Sequence, residues 1–242
     1  MSSASRIKLQ MAGRQIPFEL ISTRGRRLGI RYHAADGIFQ IKCPEAAWNE
    51  EVERFVRSNE AWILKHLPMI QADQARQKQW WASIQSGSIT LQGQRYDLTV
   101  EVARQASFQC VQNRIILKGP QGADIRQLLF LGLFRYAKKQ LPALVSRYAA
   151  QTDITVNRVV VKQHLRSKWG SASSLGNLNL SWLIILLPEE YIRYLIIHEL
   201  MHFHEMNHSP KFWAWVARYE PNYQYLDNSL KEWGWLFGLF PK

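Results

Sequence analysis

The sequence predicts an α+β fold, with a β-rich N-terminal lobe over residues 1–121 and a lobe of mixed helices and strands over residues 122–242. Short alternating segments bounded by turn residues dominate the first lobe, which includes one helix, whereas helical spacing recurs in the second. The 242 residues, 47% hydrophobic and 21% charged, are enough to bury one large core or two modest ones. A globular protein is therefore expected, and no internal repeat is evident.

The N-terminal lobe is expected to combine strands with one helix. Residues 18–44, FELISTRGRRLGIRYHAADGIFQIKCP, predict a β-meander with a turn at Asp36–Gly37. Asn49 is expected to cap a helix over residues 49–67, because an amide side chain before a segment of helical spacing satisfies the first free backbone amides. Further strands are predicted over residues 88–119, with turns at Gly93 and Gln112–Asn113.

The second lobe begins with a predicted helix over residues 125–150. Pro142 is expected to kink or divide that helix, because proline lacks an amide hydrogen and clashes with the preceding turn. A hairpin is expected to turn at Gly176–Asn177. Pro188 then opens another helix, and the two glutamates that follow it suit the positive end of a helix dipole.

The composition restricts the location and the partners of the chain. Its two cysteines, Cys43 and Cys110, provide neither a disulfide framework nor a cysteine zinc site, so a reducing cytoplasm is expected. No apolar run approaches the roughly 18–20 residues of a membrane-spanning helix. Lysine and arginine exceed aspartate and glutamate by 31 to 19. This excess would attract nucleic acid, a nucleotide or an acidic polypeptide, or would only keep the protein soluble.

The segment HELMHFHEMNHSPKFW, residues 198–213, concentrates four histidines. His198 and His202 lie four positions apart, which on a helix brings both imidazoles to one side at about 6 Å along the axis. Glu199 is adjacent to the first histidine, where its carboxylate can reach a water at an open metal position. The pattern is the HExxH motif of metal-dependent hydrolases, and the alternative is a chance match on a helix surface.

A catalytic zinc commonly takes a third protein ligand. Three candidates follow His202, namely His204, Glu205 and His208. His204 would project from a different helix face, and Glu205 could join only if the helix continued. His208 is preferred, because Asn207 favours a turn and the Ser209–Pro210 pair suits the start of a new helix, which would direct His208 back to the metal.

The segments RSKWGSASSLGNLNLSW and PEEYIRYLIIHELMHFHEMNHSPKFW together resemble the YgjP-type, SprT-related zinc metallopeptidase family. The resemblance extends to RRLGIRYHAADGIFQIKCP, EAWILKHL and LQGQRYDLTV, so that it covers most of the chain. It implies a zincin-like fold, zinc as cofactor, His198, His202 and His208 as zinc ligands, and Glu199 as the catalytic acid and base. Glu205 stands where metzincins have glycine, which argues against a metzincin.

Other residues near the motif have either a functional or a packing interpretation. The strand NLNLSW would hold an extended peptide or would belong only to the core. Supporting roles are open for the following: aromatic walls from Trp169, Phe212 and Trp213; a hydroxyl from Tyr191 or Tyr194; positive charge from Arg166 and Lys168; and phosphate binding by Arg24, Arg26, Arg27 and Arg31.

The preferred hypothesis is a cytoplasmic zinc-dependent hydrolase, a metallopeptidase that uses metal-activated water on peptide or unfolded protein. One alternative is a metal-dependent hydrolase of a nucleotide or another phosphate-containing small molecule. A second is a nucleic-acid-binding module with structural zinc, which would show salt-dependent binding and no hydrolysis.

Overall fold

The structure is a computed structural model that describes residues 5–23, 25, 27–33, 38–44, 48–165 and 168–240. It contains both helices and mixed sheets, so the predicted α+β class is confirmed. The chain forms two compact units, residues 1–78 with 241–242, and residues 79–240. The predicted boundary near residue 121 therefore lies inside the second unit, because the strands over residues 88–119 share one apolar core with the C-terminal helices.

The first unit contains a four-stranded sheet, one helix and residues 60–78 of a second helix. The strand order is β1-β2-β4-β3, with β2 and β4 parallel. The predicted β-meander is therefore wrong, because β4 lies between β2 and β3, and an additional strand, β1, precedes the predicted region. The elements are β1 (Ser5–Met11), β2 (Arg14–Ser22), β3 (Gly29–His33), β4 (Ile38–Cys43), α1 (Glu50–Ser58) and α2 (Glu60–Gln85).

The helix predicted after Asn49 is present as α1. The Asn49 side chain accepts a hydrogen bond from the Val52 amide at 2.9 Å, as expected for an N-cap. The predicted helix is interrupted at Asn59, after which α2 continues as far as Gln85. Val52 and Ile63, from the two helices, are buried in the core of this unit together with the inward side chains of the sheet. The predicted turn at Asp36–Gly37 lies outside the described residues.

The second unit begins with another four-stranded sheet, of order β5-β6-β8-β7. Its turns at Gly93 and at Gln112–Asn113 fall where the sequence predicts them. Gln92 and Gly93 both adopt positive φ angles, 54° and 79°, which a two-residue hairpin turn requires. The strands are β5 (Ser88–Leu91), β6 (Gln94–Val102), β7 (Ser107–Val111) and β8 (Arg114–Gly119).

The two four-stranded sheets are copies of one motif. Each has an antiparallel hairpin, a parallel pair formed by its second and fourth strands, and an antiparallel pair formed by its third and fourth strands. The register also agrees, so the structure contains a repeat that is not evident in the sequence. Equivalent pairs in the first and second sheets are Met11↔Arg14 and Leu91↔Gln94, Phe18↔Phe39 and Leu98↔Ile115, and Tyr32↔Phe39 and Cys110↔Ile115.

A long helix, α3, follows the second sheet and contains Pro142 without being divided by it. The predicted hairpin at Gly176–Asn177 forms the antiparallel part of a three-stranded sheet of order β10-β11-β9. Every helix of the described residues is too short or too polar to cross a membrane. The remaining elements are α3 (Ile125–Thr152), β9 (Arg158–Lys162), β10 (Gly170–Ala172), β11 (Asn177–Ser181), α4 (Glu189–Met201), α5 (Pro210–Tyr219), α6 (Tyr223–Ser229) and two 3-10 helices, Trp182–Leu186 and Leu230–Gly238.

Candidate metal centre

Helix α4 carries the HExxH segment in the second unit. Pro188 precedes it, and two glutamates occupy its first turn, as the sequence predicts. The helix ends at Met201, so that His202 is its C-cap residue. The Nδ1 atom of His202 donates a hydrogen bond to the backbone carbonyl of Glu205 at 3.3 Å, because a carbonyl oxygen can only accept. This bond holds the His202 ring with its other nitrogen available.

The chain turns after α4 and returns His208 to the two helix histidines. Ser209 caps α5, with its hydroxyl accepting from the Phe212 amide at 3.4 Å, and Pro210 occupies the first turn, as predicted. The Nε2 atoms of His208 and His198 are 3.1 Å apart. Two nitrogens bound tetrahedrally to one zinc at about 2.1 Å lie about 3.4 Å apart, so this separation fits a shared ion.

One ring nitrogen from each of His198, His202 and His208 lies within 4.8 Å of the others. The two other third-ligand candidates have different contacts. His204 is exposed and stacks on Trp215, with ring centroids 4.2 Å apart. Glu205 contributes its backbone carbonyl to His202. The described structure therefore brings His208, the preferred candidate, to the two helix histidines.

Two imidazoles of this cluster, those of His198 and His202, are favoured in the neutral form. Burial, and then electrostatic repulsion from His202 and His208, lower the pKa of His198 to about 3. Burial also lowers the pKa of His202. A neutral imidazole keeps the lone pair that a metal ligand needs, so His198 and His202 are suited to bind a cation at neutral pH.

Glu199 points its carboxylate into a confined space beside the histidines. Its side chain is buried, and Oε2 has no hydrogen-bond partner in the described structure. A buried carboxylate oxygen is normally satisfied by a polar partner, water or an ion. Burial raises the Glu199 pKa to about 7, while the charge of Lys168 opposes that rise. Oε2 is therefore available to a water or substrate in the cluster.

Gly170, on strand β10, makes the space that the Glu199 carboxylate occupies. A Cβ atom on Gly170 would lie 2.6 Å from Oε1 of Glu199, which is closer than real contacts of this kind. This contact was not predicted, although Gly170 stands in the W-G-S part of the sequence. The histidine cluster, the unpartnered oxygen and the glycine that accommodates it together fit a bound metal with a neighbouring base.

Tyr194 and Asp227 form a second layer behind His198. The Tyr194 hydroxyl donates to Oδ1 of Asp227 at 2.7 Å and lies 3.4 Å from Nδ1 of His198. Burial, and then the hydrogen bond to Asp227, raise the pKa of Tyr194, so its phenol stays protonated. The sequence left Tyr194 as either a packing or a supporting residue and did not single out Asp227 on α6.

The cluster opens into a cleft of about 430 Å³, lined by β10, α4 and parts of the C-terminal segments. The predicted peptide-binding strand, NLNLSW, is β11, which pairs on both sides and lies in the middle of its sheet. Of the two interpretations that the sequence left open for this strand, its placement favours the one in which it belongs to the core. Among the described strands, β10 is the edge strand beside the cleft. Its residues Gly170, Ser171 and Ala172 line the cleft.

The aromatic and basic candidates fall into different environments. Trp169 and Lys168 line the cleft. Phe212 is fully buried, and its ring stacks on His202 with centroids 4.6 Å apart, which makes it a packing residue of the cluster. Trp213 also packs within the cluster, with its ring centroid 5.7 Å from that of His198. Arg166 lies outside the described residues.

The four arginines of the first unit do not form a described cluster. Arg24 and Arg26 lie outside the described residues, and Arg27 is exposed. Arg31 donates to the Gln40 side chain on the neighbouring strand, at 3.0 Å from Nε and 2.8 Å from Nη2. Arg31 therefore has a structural partner, and phosphate binding by this group has no support among the described contacts.

A helix-borne histidine pair with a third histidine is a donor set typical of hydrolytic metal centres, in which an adjacent buried carboxylate serves as the base. Residues 26–233 match the family model described as YgjP-like, metallopeptidase domain, and the chain belongs to this family. The resemblance drawn from the sequence is thereby confirmed.

No curated protein gives a significant match to the chain. Among solved structures, the chain is similar to the metallopeptidase zymogen of Pyrococcus abyssi abylysin, with a TM-score of 0.34 and 22% sequence identity. The match covers 38% of this chain and 91% of that chain.

Proposed function

We propose that this protein is a zinc-dependent peptidase that cleaves peptides or unfolded protein with an activated water. The observation that carries the proposal is the convergence of His198, His202 and His208 beside the buried, unpartnered oxygen of Glu199. The family is one of metallopeptidases, which supports an enzyme that uses a metal.

The three imidazoles would hold the metal. Neutral imidazole nitrogens suit zinc, and three protein ligands leave the fourth position of a tetrahedral site open for water or substrate. When bound, zinc would polarise the scissile carbonyl and make the attacking water more acidic. The Glu205 carbonyl would orient the His202 ring and leave its other nitrogen for the metal.

Glu199 would serve as the general base and then as the general acid. Its Oε2 would accept a proton from the attacking water and later deliver that proton to the leaving amine. The space beside Gly170 fixes the carboxylate, because any larger side chain there would collide with Oε1. This restriction limits the geometries in which the proton can be transferred.

A peptide substrate would lie along β10. This strand is at the edge of its sheet among the described strands and lines the cleft next to Glu199. An extended peptide can hydrogen-bond to the free edge of a strand through its backbone, which gives affinity with little dependence on sequence. An unfolded segment can adopt that extended form, whereas a folded domain cannot.

Two observations favour this function over the alternatives. Lys168 is the one lysine or arginine among the described residues that line the cleft, whereas a nucleotide polyphosphate is normally bound by several cationic groups. A structural zinc site has no need for a carboxylate such as Glu199 beside it. The family match gives no support to a nucleic-acid partner.

The test uses purified protein loaded with zinc, with a matched sample treated with a chelator. Both samples are incubated with an unfolded polypeptide, with the same polypeptide in a folded, disulfide-locked form, and with nucleoside triphosphates. We expect zinc-dependent cleavage of the unfolded polypeptide alone. Zinc-dependent release of phosphate without peptide cleavage would establish the nucleotide alternative, and zinc binding without any hydrolysis would establish the structural alternative.

We also propose that the protein works in the reducing cytoplasm. Neither Cys43 nor Cys110 takes part in a disulfide among the described residues. Cys43 is buried in the core of the first unit, where it packs as a small apolar side chain. Folding of the protein therefore does not require an oxidising compartment. Expression under reducing conditions, followed by measurement of the folded fraction, would check this.

A further inference from the structure

Tyr194 lies one helical turn before His198 and places a hydroxyl behind its ring. The phenol oxygen is 3.4 Å from His198 Nδ1, on the side of the ring opposite the Nε2 atom that faces His208. Tyr194 is almost fully buried, with 1% of its surface exposed. A hydroxyl at this depth needs partners, and its oxygen has two neighbours of different kinds, the His198 ring nitrogen and the Asp227 carboxylate.

The single hydroxyl hydrogen of Tyr194 can serve only one of these neighbours. Asp227 lies closer, at 2.7 Å, and an ionised carboxylate can only accept, so the hydrogen points to Asp227. The phenol oxygen is then left to accept a hydrogen bond from His198. Such a bond requires the proton of the neutral imidazole to reside on Nδ1, which leaves the lone pair on Nε2.

We propose that Asp227 and Tyr194 are positioning residues that hold His198 in the tautomer and orientation in which Nε2 binds the metal. This inference rests on the proposed role of His198 as a ligand. The negative charge of Asp227 orients the Tyr194 dipole, and the oriented oxygen stabilises Nδ1–H. Outer groups that orient a ligand histidine typically contribute 10- to 100-fold in metal affinity.

Tyr191 supplies a matched control on the same helix. Its hydroxyl also reaches α6, where it bonds to the Ser229 hydroxyl at 2.9 Å, and its side chain is also buried. Tyr191→Phe and Tyr194→Phe therefore each remove one buried hydroxyl that joins α4 to α6. The described hydrogen bonds of the Tyr191 hydroxyl involve no histidine. A purely structural contribution would affect the two variants alike.

The experiment measures the zinc dissociation constant by competition with a chromophoric chelator and the thermal midpoint of the metal-free protein. The samples are the wild type, Tyr194→Phe, Tyr191→Phe, Asp227→Asn and His198→Ala. We expect Tyr194→Phe and Asp227→Asn to weaken zinc binding roughly 10- to 100-fold. Tyr191→Phe should lower the thermal midpoint without weakening zinc binding.

Nitrogen-15 NMR of the metal-free protein gives a readout that does not depend on metal. We expect His198 to carry its proton on Nδ1 in the wild type and to show mixed tautomers in Tyr194→Phe. If Tyr194→Phe does not fold, Asp227→Asn carries the same comparison, because Asp227 is only half-buried. A proton on Nε2 of wild-type His198 would overturn the proposal.

The results separate failure of this inference from failure of the proposed function. Wild-type protein that does not bind zinc, or that binds it equally well after His198→Ala, would overturn both. Zinc binding that depends on His198 but is equally tight in Tyr194→Phe and Asp227→Asn would overturn the positioning role alone.

Discussion

The first and second sheets have the same strand order and register but make different attachments. In the second sheet, the turn between β5 and β6 meets the segment before α4: the Gln92 amide donates to the Ile185 carbonyl at 3.0 Å. A Cβ atom on Gly93 would lie 3.4 Å from Pro188. At the equivalent turn of the first sheet, a Cβ on Gly13 would meet no described atom within 4 Å.

The cores of the two sheets differ in the same way. The second sheet shares one core with α3 and α4, so its strands support the helix that carries the histidines. The first sheet forms a separate core with α1 and the N-terminal part of α2. The comparison teaches that one backbone motif serves in one copy as a support for a site and in the other as a unit with its own interior. Substitutions at equivalent positions should therefore have different effects.

The largest contrast is expected between two buried glutamates, one in each unit. Glu199→Gln keeps the side-chain volume and all three histidines but removes the carboxylate base. We expect zinc to remain bound while hydrolysis of an unfolded polypeptide falls by roughly two to four orders of magnitude. Steady-state kinetics and metal analysis of the same preparation would measure both effects.

Glu19→Gln is the control in the first unit. The Glu19 carboxylate accepts from Gln40 at 2.7 Å and lies 3.5 Å from Arg6, so its oxygens already have partners. We expect the substitution to leave peptidase activity unchanged. Equal activity losses in Glu199→Gln and Glu19→Gln would show that Glu199 has no special chemical role.

A smaller effect is expected at Gly170, which belongs to the supported unit but bears no reactive group. Gly170→Ala would place a methyl group 2.6 Å from the present position of Glu199 Oε1 and displace the carboxylate. A displacement of about 1 Å can lower the rate about 100-fold, so activity should fall by roughly that factor. Zinc affinity should stay close to the wild-type value, because the atoms nearest to the added methyl group belong to Glu199 and not to a histidine. Full activity of Gly170→Ala would contradict the proposal that the space beside Gly170 fixes the position of the Glu199 carboxylate.

Equivalent core residues give a contrast in stability. Ile41 and Leu117 occupy matching positions of the two sheets, and both are buried. Replacing either by alanine should lower the free energy of unfolding of its own unit by about 2–5 kcal/mol. Zinc should raise only the transition that Leu117→Ala lowers, because a ligand stabilises the unit that binds it. Calorimetry with and without zinc would measure the midpoint of each unfolding transition. An equal effect of zinc on both transitions would contradict the distinction between the two cores.

The smallest effects are expected at the two turn glycines. Gly13 and Gly93 have φ angles of 75° and 79°, so alanine at either position should cost about 1–2 kcal/mol in backbone strain. The contact at Gly93 lies at an ordinary van der Waals distance, so the two variants should differ by less than about 0.5 kcal/mol. A much larger loss at Gly93, measured by denaturant unfolding, would mean that this turn tolerates no adjustment against Pro188.

The fold was predictable from the sequence in its elements but not in its pairing. Alternating apolar residues and turn glycines indicate where strands lie, and Asn49 marks a helix start, because these signals are local. The insertion of β4 between β2 and β3 is set by contacts between distant segments. The repeat was not evident in the sequence for a related reason. The shared register requires only apolar residues at alternate positions and a turn glycine, such as Gly13 or Gly93. Many different sequences meet these requirements, so the two copies need not be similar in sequence.

The candidate site was predictable where its residues are close in sequence. The helical spacing of His198 and His202, and the start signals at Ser209–Pro210, together suggest the return of His208. Gly170 and Asp227 could not be identified in this way, because each meets α4 through a contact between separate elements. A local sequence pattern shows neither the space that Gly170 leaves for the Glu199 carboxylate nor the hydrogen-bond partner of the Tyr194 hydroxyl.

The closeness of the three histidines in the chain has a consequence for the order of folding. His198, His202 and His208 belong to one short segment, so bringing their rings together closes only small loops and loses little chain entropy. The position of Glu199 against Gly170 depends on a contact between α4 and β10, which lie farther apart in the chain than the three histidines do. Contacts of higher sequence separation form more slowly. During refolding, the three histidine rings can therefore converge before Glu199 reaches its position against Gly170.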